Sequence, residues 1–223
     1  LESFRSKCQK SLFLSHNQVK IRLGFFISNR KHREMSEKKE MLLHVPYPLD
    51  RTLFLVGMMG SGKSSVGRRL ARIYSLPFVD ADREIEQAGG GDICYLFDRY
   101  GEQDFRRAEE RVMARLLDGK TCVLAAGGGA FLSALTRQVV KQKAVSVFLD
   151  AHVDTIIRNT AGRTHRPLLN VDDPAAVVRA LSDSRRPFYE QADIRIKYKE
   201  ETMGKLLRRL VAEIDRFAAN RGK

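Results

Sequence analysis

Arg51-Thr52-Leu53-Phe54-Leu55-Val56-Gly57-Met58-Met59-Gly60-Ser61-Gly62-Lys63-Ser64-Ser65 is the stretch that decides the fold. Its apolar run, Leu53 to Val56, reads as a buried strand. The octet Gly57 to Ser64 fits G-x-x-x-x-G-K-[ST], the phosphate-binding loop. Glycines there allow backbone geometry closed to other residues and let N–H groups converge on phosphate oxygens. Lys63 opens a helix whose positive dipole end faces the same anion. Ser64 offers a hydroxyl to a magnesium ion bridging phosphates. The expected nucleotide-phosphate ligands are Gly60, Ser61, Gly62, Lys63, Ser64 and Ser65. Val66, Leu70 and Ile73 give the following helix a buried stripe, and Gly67 allows that helix to approach the sheet closely. A glycine-rich turn would also match the octet, but the strand before it and the helix after it favour the loop.

Working outward, the chain alternates short apolar runs with helical spacing. Phe78-Val79-Asp80 reads as a strand with Asp80 and Asp82 at its C-terminal end, followed by a helix over Glu84 to Ala88. Asp92 is placed to cap Ile93 to Tyr100, and Glu102 to Leu117 continues as helix. Thr121 to Ala126 is a strand ending in Gly127-Gly128-Gly129, and Ser133 caps the next helix. The near-continuous apolar run Ala144 to Leu149 marks a central parallel strand. A helix over Val153 to Ile157 leads into a polar, arginine-bearing loop, about 162–173. Asp173 and Pro174 then open another helix, Ile194 to Tyr198 is the last strand, and helical spacing resumes from Met203 to Phe217. The expected fold class is α/β, doubly wound on a five-stranded parallel sheet, with ligands at the C-terminal strand ends.

Composition bounds the rest. The 223 residues carry a formal charge of +13, of which +6 comes from residues 1–34, with eight Lys/Arg against two Glu. That segment reads as a basic, non-structural extension, either a transit peptide or sequence upstream of a start at Met35. The folded domain is expected over 35–223. Its moderate positive charge suits a triphosphate and an acidic substrate, and no basic stripe interleaved with aromatics argues for nucleic acid. Cys8, Cys94 and Cys122 form neither metal spacing nor a disulfide framework, which fits a reducing cytoplasm. No apolar run approaches the roughly 18 residues of a membrane span.

Five further stretches fall in register with the phosphate loop: Phe78-Val79-Asp80-Ala81-Asp82-Arg83, Gly101-Glu102-Gln103-Asp104-Phe105-Arg106-Arg107-Ala108-Glu109, Ala126-Gly127-Gly128-Gly129-Ala130, Arg166-Pro167-Leu168-Leu169, and Arg185-Arg186-Pro187-Phe188-Tyr189. In this order and at these intervals, from Thr52 to Phe217, the chain resembles the shikimate kinases. The resemblance implies a fold like the nucleoside monophosphate kinases, with strand order 2-3-1-4-5. It also implies transfer of the γ-phosphoryl of ATP to the 3-hydroxyl of shikimate, on the route to chorismate and the aromatic amino acids. ATP would be co-substrate and Mg2+ the cofactor, in a monomer of the cytoplasm, or of a plastid if residues 1–34 are a transit peptide.

The same resemblance distributes roles. Asp82 binds shikimate and takes the proton of the attacking hydroxyl. Taken alone, Asp82 would fit a helix N-cap. Arg106 and Arg185 hold the shikimate carboxylate, a task suited to a planar, permanently charged guanidinium. Without the motif, Arg106 would read as an ion-pair partner of Glu102 or Glu109. Glu109 orients Arg106. Gly128 offers its backbone N–H to the substrate, and Arg185 is favoured over Arg186 by the R-x-P spacing. Arg166 belongs to a lid that closes over ATP, with Gly162 and Asn170 as hinges, and joins Lys63 in stabilising charge on the transferring group. Asp80 completes the magnesium shell with Ser64, through water.

Two positions depart from the family pattern. Asn159 stands where an arginine commonly stacks on adenine, and Lys199 to Met203 matches the second adenine-contacting stretch poorly. The adenine contact therefore stays open. The competing readings are another small-molecule kinase of this architecture, acting on gluconate or a nucleotide, and a nucleic-acid-binding module built on the basic N-terminus.

Overall fold

The computed structural model describes residues 47–161 and 173–221. The expected extension over 1–34 and the loop bearing Gly162, Arg166 and Asn170 lie outside them.

Strand β1, Thr52–Val56, is buried at all five residues. It lies between β3, Val123–Ala125, and β4, Ala144–Ala151, and every pairing is parallel. Strand β2, Phe78–Asp80, flanks β3, and β5, Ile194–Tyr198, flanks β4. The order is β2-β3-β1-β4-β5, as the resemblance implied. All eight residues of β4 are buried, as a central parallel strand covered on both faces requires. Edge strand β5 instead alternates buried and exposed residues.

Helix α1, Lys63–Ile73, buries Val66, Gly67, Leu70 and Ala71. Ile73 is only half-buried, so the stripe turns towards Ala71. A Cβ on Gly67 would lie 2.6 Å from the Phe78 ring and 3.1 Å from Leu55 Cδ1, so bare backbone is what brings α1 down onto the sheet. Helix α2, Ala81–Gly89, starts directly at the end of β2, three residues earlier than the sequence suggests. Asp82 consequently sits in its first turn. The capping position belongs to Asp80, whose side chain makes no capping bond.

Helix α3 spans Ile93–Leu117 but is broken at Gly101, where φ is 74° and ψ 168°. Asp92 caps its first half through the Tyr95 N–H at 2.8 Å. After β3, a 3-10 turn, Ala130–Leu132, leads to α4, Ala134–Lys143, capped by Ser133. Helix α5, Val153–Thr160, ends beside the phosphate loop. Helix α6, Pro174–Tyr189, is capped by Asp173, which accepts from the Ala176 N–H at 2.9 Å. The last helix, α7, covers Met203–Arg221 and packs against α1 and β5. One buried cluster runs through Phe54, Val56, Leu124, Phe131, Phe148, Ile156 and Tyr189, and Leu53, Leu55, Leu70, Leu149, Leu210 and Ile214 are buried outside it. Burying one such side chain is worth about 1.5–3 kcal/mol.

Candidate active site

The five strands end together. Gly57 follows β1, Asp80 closes β2, and the glycines 127–129 follow β3. Two half-sites form on this rim.

The first is the loop from Gly57 to Ser64. Its carbonyls are held one by one. Nζ of Lys63 donates to Gly57 O at 2.8 Å and Met58 O at 3.0 Å. Nδ2 of Asn159 donates to Gly60 O at 2.9 Å, and the Tyr198 hydroxyl donates to Ser61 O. A planar trans peptide sends the next residue's N–H the opposite way, so anchoring these carbonyls fixes the direction of the donors behind them. Gly60 and Gly62 adopt left-handed φ values of 76° and 80°, and Gly60 also lies against the end of α5. There a Cβ would stand 2.7 Å from Thr160 Cγ2 and 3.2 Å from Ile156 O.

The first intrahelical bond of α1 is Val66 N–H to Gly62 O. The N–H groups of Lys63, Ser64 and Ser65 therefore lack intrahelical acceptors, and Gly62 provides no side-chain cap. The Ser61 hydroxyl is buried without a hydrogen-bond partner among the described residues. Donors, dipole and lysine together fit a polyphosphate. Ser64 Oγ donates to Asp80 Oδ2 at 2.8 Å. A hydroxyl and a carboxylate at the edge of a phosphate site fit Mg2+, which takes few protein oxygens and keeps its waters. Among the described residues no cluster of three or more His, Cys, Asp or Glu side chains offers an all-protein cage.

The second half-site is built on the three glycines. A Cβ on Gly127 would lie 2.6 Å from Asp82 Oδ1 and 3.1 Å from Glu109 Oε1. One on Gly128 would lie 3.4 Å from Arg185 Nη1, and one on Gly129 2.6 Å from Arg106 Cζ. Each glycine thus abuts a different charged side chain. Arg106 donates to Glu109 Oε2 at 2.7 Å, reaches Glu102 at 3.5 Å, and lies over the rings of Phe97 and Phe105. Both ion-pair partners expected for Arg106 are therefore present. Glu109 is 3% exposed. Burial pushes its carboxyl pKa up, and the Asp82 charge adds to this, while Arg106 and Arg185 pull it back.

Arg185 is buried and donates to Gly128 O at 3.3 Å. Its neighbour Arg186 turns instead to Asp150, which it shares with Arg195. The two half-sites touch, since the same Cβ position on Gly128 is 3.7 Å from the Met59 N atom of the phosphate loop.

The geometry thus brings together Lys63, Ser64 and Asp80 on one side and Asp82, Arg106, Gly128 and Arg185 on the other. Arg166 lies outside the described residues. Sequence reading missed Tyr189 and Tyr198, which hold loop carbonyls, and the part played by Gly127 and Gly129. Tyr189 and the glycines stand inside quoted motifs, but only Arg185 and Gly128 carried an assigned role.

A family model described as shikimate kinase matches residues 59–215. The chain belongs to the shikimate kinase family. A shikimate kinase of Rhodopseudomonas palustris is 47% identical over 165 residues, covering 74% of this chain and 81% of the relative. The solved structure of the Acinetobacter baumannii shikimate kinase, in complex with shikimate, superposes with a TM-score of 0.72. It is 35% identical and covers 78% of this chain and 96% of its own. A gluconokinase from Sinorhizobium meliloti shares the fold at TM-score 0.53 but only 17% identity, covering 78% and 97% of the two chains. That likeness speaks for architecture alone.

Proposed function

We propose that this chain transfers the γ-phosphoryl group of ATP to the 3-hydroxyl of shikimate, giving shikimate 3-phosphate and ADP, within the aromatic amino acid pathway. The observation that carries the reading is the glycine wall, which gathers the carboxylates of Asp82 and Glu109 and the guanidiniums of Arg106 and Arg185 beside the phosphate loop. Two guanidiniums suit the single carboxylate of shikimate, and Asp82 suits its hydroxyls. Asp82 accepts the proton of the 3-hydroxyl as that oxygen attacks the γ-phosphorus, and ADP departs. Lys63 and the N–H groups at the start of α1 meet charge on the phosphates, and Arg166 is assigned the same task. Mg2+ would be held by Ser64 and, through water, by Asp80, and would supply charge neutralisation on the phosphates.

Both half-sites belong to one chain, which supports a monomeric enzyme. Among the described residues no helix is long and apolar enough to cross a membrane, and we place the enzyme in the cytoplasm without a nucleic-acid partner.

A coupled assay of ADP release tests the reading with shikimate, gluconate and nucleoside monophosphates as acceptors. Turnover with shikimate alone is expected. Turnover with gluconate or a nucleotide and none with shikimate would overturn it. Lys63→Ala should abolish turnover, and Arg106→Ala should act mainly on shikimate affinity.

A further inference from the structure

We infer that Tyr189 is a positioning residue of the acceptor half-site, its hydroxyl fixing the Gly128–Gly129 peptide against which the substrate is held. Tyr189 closes helix α6 one turn after Arg185 and is 1% exposed. Its hydroxyl donates to Gly128 O, the same oxygen that Arg185 Nη1 reaches at 3.3 Å. Its ring packs on Phe148, with centroids 5.3 Å apart, and its hydroxyl also stands 3.9 Å from Met58 Sδ in the phosphate loop. One side chain therefore touches the acceptor loop, the donor loop and the central strand.

The consequence follows from peptide geometry. The Gly127 carbonyl accepts from the Ala130 N–H at 3.3 Å, and the Gly128 carbonyl accepts from Tyr189 and Arg185. With both carbonyls committed, planarity turns the N–H groups of Gly128 and Gly129 the other way. No described residue accepts from either N–H, so two successive donors remain for a ligand. Glycine peptides rotate freely unless held, and the Tyr189 hydroxyl is the neutral half of the hold. Burial raises its pKa, which keeps it a donor throughout the neutral range. Arg185 is the other half, bonded to Gly128 O through Nη1.

Tyr189→Phe tests this while keeping the ring and its packing on Phe148. One arm needs no substrate. The 15N-glycine amide signals of Gly128 and Gly129 in the free, full-length protein are expected to shift or broaden, and unchanged signals would overturn the role whatever the acceptor is. The kinetic arm rests on the shikimate reading. The shikimate KM is expected to rise five- to fiftyfold while the ATP KM stays within twofold. Equal rises in both, or no rise, would reduce Tyr189 to a core residue. A wild-type protein inert towards shikimate would instead overturn the functional reading and leave the amide arm to decide Tyr189.

Discussion

The guanidinium of Arg106 fills the space that a side chain on Gly129 would need, with Cζ 2.6 Å from the missing Cβ. The backbone of Gly129, at φ −98° and ψ −21°, suits alanine. Gly129→Ala should therefore fold, because the atom that must yield is the far end of a flexible chain. Arg106 will be pushed off its place. A displacement of about 1 Å can cost on the order of a hundredfold in a positioned site. The expected result is at least a tenfold rise in shikimate KM with ATP KM unchanged. Steady-state kinetics with each substrate varied will show it, and an unaltered shikimate KM would contradict the assigned role of Arg106.

Glu109 gives a prediction in pH. Its folded pKa lies above the ordinary value because burial disfavours the charged form. The folded chain therefore binds this proton more tightly than the unfolded chain does. The stability this contributes is full at low pH and is lost as pH rises from the usual carboxylate range through the raised value. Glu109→Gln removes that loss. The melting temperature of the variant relative to wild type should climb between pH 4 and pH 7, while its shikimate KM increases because Arg106 has lost its 2.7 Å charged partner. A constant gap in melting temperature across that range would refute the account.

Much of this architecture was legible because local signals and tertiary demands agree. Leu53 to Val56 is apolar, follows a bend at Asp50-Arg51 and precedes a phosphate loop, so strand is the reading that suits all three. Asp92, Ser133 and Asp173 cap helices at the expected places because their short side chains reach only nearby N–H groups. The start of α2 was misplaced because Asp82 reads as an N-cap for a helix beginning after it, whereas Asp80 holds the cap position and Asp82 lies in the first turn. The helix begins there because β2 ends against β3 at Asp80. Long-range side-chain bonds to loop carbonyls left no pattern at all. Asn159 lies 99 residues from Gly60, and Tyr198 lies 137 from Ser61. Neither residue type nor spacing announces such a bond.

Gly67 weighs packing against propensity. Alanine improves a helix interior by about 1 kcal/mol over glycine. Here its Cβ would stand 2.6 Å from the Phe78 ring and 3.1 Å from Leu55, both anchored in the sheet. Forced overpacking costs about 1–3 kcal/mol, so the clash should prevail. Gly67→Ala is expected to lower the urea midpoint at an unchanged denaturant slope. A stabilised variant would mean that α1 is free to lift from β2.

Asn159 tests whether the donor half-site is held from outside the loop. Its amide at 2.9 Å from Gly60 O completes the set of anchored carbonyls begun by Lys63 and Tyr198. Removing a hydrogen bond of this kind costs about 0.5–1.5 kcal/mol. Asn159→Ala should accordingly raise the ATP KM about two- to tenfold and leave the shikimate KM alone. Asn159→Asp goes further, because it sets a carboxylate against a carbonyl and near the phosphates. Its ATP KM should exceed that of the alanine variant. Had Asn159 served the nucleotide only through contact with the base, both variants would weaken ATP equally and GTP would be affected differently. The ordering of wild type, alanine and aspartate with ATP and GTP therefore separates a clamp on the loop from a contact with adenine.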